Sequence, residues 1–231
     1  MFYIKNLLMK KVFYYLALIL SVLLNSCSQD VEKAFSCDET VNQWVIDNLV
    51  TIHEMTRSEW NQLDESKKHA AYGAFTQQQR IKFWHEKLEE LKLLDWSAQE
   101  LTHIALIGEF IDEHPEFFSG KSLTEEQSDE LYLFCYPWVQ TGIKKFGWTE
   151  KTAASIIATG NVVTDKSGGI QTVGLEKLHG TKEANNCHCH AGNIITTCYL
   201  DHTSCEENGC TEPLVDTCGF LLQESCNGQC I

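Results

Sequence analysis

Eight cysteines fall between Cys187 and Cys230, a stretch without a lysine or arginine, whereas the rest of the chain holds three, Cys27, Cys37 and Cys135. Residues 187–231 are too few to close a core by burial alone, and their apolar content, chiefly Ile194, Ile195, Leu200, Leu214, Val215, Phe220, Leu221 and Leu222, is small. An even set of cysteines at irregular spacing reads as a disulfide framework, provided the chain reaches an oxidising compartment. Bridges are therefore expected among Cys187, Cys189, Cys198, Cys205, Cys210, Cys218, Cys226 and Cys230. Spacing leaves about 105 pairings open, although Cys187 and Cys189 lie too close to pair comfortably with each other. A competing reading is a metal site, because Cys187-His188-Cys189-His190 and His202 offer sulfur and imidazole. The repeated Cys-x-x-Cys of zinc sites is absent, so no metal or cofactor is expected.

The N-terminus supplies the compartment. Lys5, Lys10 and Lys11 precede an apolar run from Val12 to Leu24, which suits a signal-peptide core better than a membrane span of about twenty residues. The run ends in Leu24-Asn25-Ser26-Cys27, which resembles the lipobox of bacterial lipoproteins, with Asn25 departing from the small residues usual there. The resemblance implies a signal peptide over 1–26, acylation of Cys27 and a tether over 27–37. Ser28 stands where an aspartate would retain some lipoproteins, which implies the outer membrane of the cell envelope, with either face open. The plainer alternative is an ordinary signal peptide cut nearby, leaving Cys27 as a thiol.

Without Cys27, ten cysteines remain, the tail's eight and the pair Cys37 and Cys135. That pair either closes a long loop, worth about 3 to 5 kcal/mol in the chain-entropy model, or stays as two buried thiols. Removing a leader with three lysines and no acid takes the formal charge from −14 to −17. A surface of that sign repels phosphate backbones, so nucleic acid is not an expected partner. The acids are spread along the chain as solvated faces, for example Glu89-Glu90, Glu125-Glu126 and Glu206-Glu207.

Residues 38–159 read as a helical, bundle-like domain, so the chain is expected to be mainly α, followed by the small disulfide-rich module. Four pairs carry the reciprocal cap of a hydroxyl followed three residues on by Glu or Gln: Thr56 with Glu59, Thr76 with Gln79, Ser97 with Glu100, and Thr124 with Gln127. Apolar residues then recur at helical spacing, as in Ile81, Trp84, Leu88 and Leu91, or Leu101, Ile104, Ala105 and Ile111. A segment with Val41, Trp44, Val45 and Leu49, and a short one from Thr149 to Ile157, repeat the pattern. Five or six helices of about ten to fifteen residues are expected.

Nothing here points to an enzyme. His53, His69, His85, His103 and His114 never fall into the His-Glu-x-x-His spacing of a zinc helix, and no nucleophile elbow or phosphate-binding glycine loop is present. Each histidine reads as a surface or boundary residue, and the six tryptophans as core anchors. Residues 160–186 read as a linker. Val162-Val163-Thr164 and Ile170 to Val173 flank a turn and can pair as a short hairpin, while Lys182 offers a trypsin-like cleavage point.

The tail's cysteine order, Cys187-His188-Cys189, then Cys198, Cys205 and Cys210, then Cys218-Gly219, then Cys226-Asn227-Gly228-Gln229-Cys230, resembles the bacteriocin fulvocin C and exported bacterial proteins related to it. It covers about a fifth of the chain. The resemblance implies an antibacterial module, which cleavage in the linker would release and which would act through a target-cell receptor or by inserting apolar surface. Asp201, Glu206, Glu207, Glu212, Asp216 and Glu224 without a single cation argue against killing by charge on anionic membranes. Two alternatives stand beside it: an uncleaved lipoprotein that binds a surface ligand while its N-terminal lipid anchors it to the membrane, and a Cys/His metal-binding protein.

Overall fold

This computed structural model describes residues 34–36, 38–173, 189–201, 204–207 and 217–230. The leader with Cys27, the residues Cys37, Cys187, His188, His202 and Cys210, and the linker beyond Val173 with Lys182 lie outside the described residues; Cys230 is described in its backbone only.

The described chain is mainly helical, with eight α-helices and almost no strand. They are α1 (Glu39–Asp47), α2 (Leu49–Glu54), α3 (Arg57–Trp60), α4 (Glu65–Ala74), α5 (Gln77–Leu91), α6 (Ala98–Glu113), α7 (Glu125–Phe146) and α8 (Glu150–Ile157). All four expected reciprocal caps form, opening α3, α5, α6 and α7. In each the hydroxyl accepts from the third backbone N–H, and the Glu or Gln accepts from the cap's own N–H. The helices are more numerous and more unequal than expected. Asn48 divides the first apolar segment into α1 and α2, its side chain donating to the Trp44 carbonyl at 2.7 Å. The short α3 and the alanine-rich α4 lacked a long apolar period to announce them.

Aromatic side chains fill the core at the helix crossings. Trp60 meets Phe83 edge to face at 4.9 Å, and Phe83 meets Tyr72 at 5.3 Å. A second cluster joins Trp96, Trp138 and Trp148 around His103. His103 is buried rather than at the surface or boundary expected of it: its ring stacks on Trp138 at 5.0 Å, and Nε2 donates to the Trp138 carbonyl at 2.9 Å. Trp138 Nε1 donates back to the His103 carbonyl at 2.9 Å, so the pair clamps α6 to α7. The turn after α7 depends on two glycines. Gly147 takes φ 73°, and a Cβ on Gly142 would lie 2.3 Å from the Trp148 ring.

Four cations are buried in this core: Arg57, Lys68, Arg80 and Lys87, each at most 3 % exposed. A buried charge must be paired or hydrogen-bonded. Lys87 Nζ donates to the carbonyls of Ser155, at 2.8 Å, and Thr159. Arg57 donates to the Gly160 carbonyl and forms a two-pronged pair with Glu90 at 2.9 and 3.2 Å. Lys68 bonds Asn161 Oδ1 at 2.8 Å and Glu65 at 2.5 Å. Three cations from α3, α4 and α5 thus hold residues 155–161, the end of α8 and the turn beyond it, where helix carbonyls carry partial negative charge. Burial, with Arg57 nearby, pushes the Lys87 ammonium well below its ordinary value.

The expected hairpin is reduced to a single antiparallel bridge between Val163 and Ile170, closed by Thr164 N–H to the Gly169 carbonyl at 2.8 Å and Gln171 N–H to the Val162 carbonyl at 2.9 Å. Glu65 N–H donates to the Val173 carbonyl at 3.2 Å, so this first part of the linker lies along the helical core.

From Ala34 onward the described residues belong to one compact unit. Ile195, Leu200, Phe220, Leu221 and Leu222 of the tail lie in the same buried cluster as the helix residues. No helix among the described residues is long and apolar enough to cross a membrane.

Candidate functional site

The tail residues that carry chemistry form a stapled cap on the helical core. Cys189 bridges Cys205, Cys218 bridges Cys226, and Cys198 is disulfide-bonded as well. The strands β1 (Cys205–Glu207) and β2 (Gly228–Cys230) pair antiparallel, and Cys189 joins them through a further bridge to Gly228. Cys135, in α7, is a free, buried thiol, as in the second of the two readings of the Cys37 and Cys135 pair, and is not bridged to Cys37. Burial pushes that thiol well above its ordinary range.

Within the cap, residues 218–226 make a tight loop. Cys218 and Glu224 exchange backbone hydrogen bonds at 2.9 Å in both directions, and the Cys218–Cys226 disulfide closes the loop outside them. The Glu224 carboxylate accepts from Phe220 N–H at 2.6 Å and Asn193 Nδ2 at 2.5 Å. Inside this frame Leu221 and Leu222 stand at φ 53° and 56°, the left-handed region that costs a non-glycine residue about 1 to 2 kcal/mol each. The disulfide, the bridge and the carboxylate over-determine the loop. They drive Phe220, Leu221 and Leu222, each at most 1 % exposed, into the helices as an apolar plug.

The residues that carry the cysteine-order resemblance have structural duties here. Gly219 takes φ 64°, and a Cβ on it would lie 2.0 Å from the Glu224 carboxylate. A Cβ on Gly228 would lie 2.6 Å from Cys205 Sγ. Asn227 Oδ1 accepts from Ala191 N–H at 2.6 Å.

Polar contacts fasten the plug. Tyr72 Oη, on α4, accepts from Trp84 Nε1 at 3.0 Å and from Gln223 Nε2 at 2.8 Å, and donates to the Leu221 carbonyl at 3.5 Å. Burial pushes the Tyr72 hydroxyl up to about 12, which keeps it a donor through the ordinary pH range. His69, also on α4, contacts the Thr217 carbonyl through Nδ1 at 2.8 Å. A carbonyl only accepts, so Nδ1 carries a proton. Burial pushes its titration below the ordinary histidine value. Neither residue stood out in the sequence as a partner of the tail.

Of the Cys/His set weighed as a metal-binding alternative, Cys189 is bridged and His190 Nδ1 bonds the Ser225 carbonyl at 2.8 Å, while the other members lie outside the described residues. Two other groups bring ligand atoms within 4.8 Å of one another, His69 with Cys218 and Cys226, and Cys189 with Cys198 and Cys205. Of the other helical-domain histidines, His53 is exposed, His85 faces Asp112 at 3.0 Å and His114 lies 3.8 Å from Glu116. Away from the cap, a cleft of about 200 Å³ opens between the start of α3 and α5, floored by Phe75 and Phe83 and edged by His53, Arg57 and Lys82. Arg57 there is committed to Glu90 and Gly160, and Lys82 pairs with Glu86 at 3.6 Å. No family model matches the chain, and no curated protein or solved structure is found to be similar to it.

Proposed function

We propose that this protein is an exported bacterial lipoprotein, anchored through Cys27, that works as an intact binding protein at the cell envelope, its fulvocin-like tail serving as a fixed cap on the helical stem. One observation carries the reading: Phe220, Leu221 and Leu222 are buried in the same core as the helices, with Tyr72 and His69 bonded to the tail. A peptide made for release would have to expose that surface to water. Burying such a side chain is worth about 1.5 to 3 kcal/mol, so three of them resist undocking strongly. The acidic, stapled outer surface of the cap is the part presented to a protein, glycan or neighbouring cell. Mass spectrometry of producing cells and medium tests this: the account expects acylated, full-length protein on cells, and a tail fragment accumulating in the medium contradicts it.

A second reading keeps the antibacterial role that the cysteine order implies. The same apolar plug supports it, because a tail freed by cleavage would carry Phe220, Leu221 and Leu222 outward as a surface able to enter a membrane without positive charge. Growth inhibition by a purified, oxidised tail peptide tests this reading, and a peptide inert against a broad panel of bacteria counts against it.

A further inference from the structure

Reduction of the Cys218–Cys226 disulfide would leave two thiols beside an imidazole that comes from a different part of the fold. We infer that His69, Cys218 and Cys226 form a metal site for a soft divalent ion of the zinc class when that bridge is opened. A ring nitrogen of His69 and the two sulfurs already lie within 4.8 Å of one another. A tetrahedral zinc with bonds of about 2.3 Å to sulfur and about 2.0 Å to nitrogen places its ligand atoms roughly 3.5 to 3.8 Å apart. The Cα atoms of Cys218 and Cys226 are 5.1 Å apart, so side-chain rotation alone brings both sulfurs to one ion.

Three further features fit. The Thr217 carbonyl holds the proton on Nδ1 of His69, which leaves the lone pair on Nε2, and a backbone carbonyl is a usual partner for the N–H of a metal-bound imidazole. Two thiolates neutralise a divalent ion, and Cys218 and Cys226 are 0 % and 8 % exposed, where an uncompensated charge would be costly. Sulfur and nitrogen donors select zinc-class ions over magnesium or calcium.

The chemistry balances as follows. A small dithiol passes two electrons and two protons to the Cys218–Cys226 bridge and is itself oxidised to a disulfide. Metal binding then releases the two thiol protons to solvent. The Cys189, Cys198 and Cys205 group lacks an imidazole. Because His69 belongs to α4, the bound ion would pin the cap to the helical stem after its staple is lost, a role independent of whether the tail is ever released.

The test uses the full mature chain, reduced with a phosphine and alkylated with iodoacetamide with and without one equivalent of Zn²⁺, each cysteine being followed by peptide mass. Zinc should slow modification of Cys218 and Cys226 by about tenfold or more, and His69→Ala should abolish that protection. His69→Gln, which can still donate to Thr217, separates ligation from folding and should lose the protection too. Equal alkylation rates with and without zinc overturn the inference, whether the reduced chain stays folded or not. Protection that survives both His69 substitutions overturns it as well.

Discussion

Replacing Tyr72 with phenylalanine removes one oxygen from the joint between cap and helices while leaving the ring's packing intact. In the wild-type chain that oxygen accepts from Trp84 Nε1 at 3.0 Å and from Gln223 Nε2 at 2.8 Å. After the substitution the Trp84 N–H faces no acceptor and Gln223 keeps only its bond to the Leu221 carbonyl at 2.9 Å. A buried donor left unsatisfied costs about 1 to 3 kcal/mol. The two together should cost about 2 to 4 kcal/mol, because some relaxation is available to Gln223 and little to Trp84. Urea unfolding of the mature chain with disulfides intact reads this directly. With an m-value of about 2 to 3 kcal/mol/M for a chain of this size, the midpoint should fall by about 1 M. A cycle with Gln223→Met should show coupling of about 0.5 to 1.5 kcal/mol, the value of the shared hydrogen bond. A loss below about 0.5 kcal/mol for Tyr72→Phe, or strict additivity in the cycle, would refute the reasoning.

Gly142→Ala should destabilise the chain by about 1 to 3 kcal/mol, since its Cβ would meet the Trp148 ring at 2.3 Å; calorimetry of the variant checks it. Glu100 supplies a pH dependence. Burial alone would raise its carboxyl, but hydrogen bonds from Trp148 Nε1, from Ser97 and from Lys166 outweigh that and hold it at about 2, below the ordinary 4.5. A depressed carboxyl adds stability above about pH 4.5 that is lost as pH falls towards 2. The difference in stability between wild type and Glu100→Gln should be about 1 to 3 kcal/mol at neutral pH and shrink across that window, as unfolding curves at stepped pH would show.

The four reciprocal caps were legible because each is closed within four residues, by atoms whose spacing is fixed by the helix itself. The tryptophans were legible as anchors for a related reason: Trp84 sits on a stripe with Leu88 and Leu91 that leaves it only one face to occupy. Lys87 shares that stripe, yet nothing local says it is buried, because its acceptors on Ser155 and Thr159 lie 68 and 72 residues away. His69 meets Thr217 across 148 residues, and Tyr72 meets Gln223 across 151. Such contacts depend on how the helices pack, which no spacing rule encodes. The tail's cysteines announced a stapled module, and five of them are bridged: Cys189 with Cys205, Cys218 with Cys226, and Cys198 as well. Its scarce apolar residues invited the view that staples alone hold it. They also hold it to the helices, because Phe220 to Leu222 are aimed inward by a backbone turn that leucines rarely adopt.

The most direct test of the cap is to place a specific protease recognition sequence at Lys182, cleave the folded, oxidised protein and pass it over a sizing column in native buffer. The account predicts that helical part and tail elute together as one particle and that denaturant without reductant is needed to part them. A tail that elutes alone from the native column contradicts it.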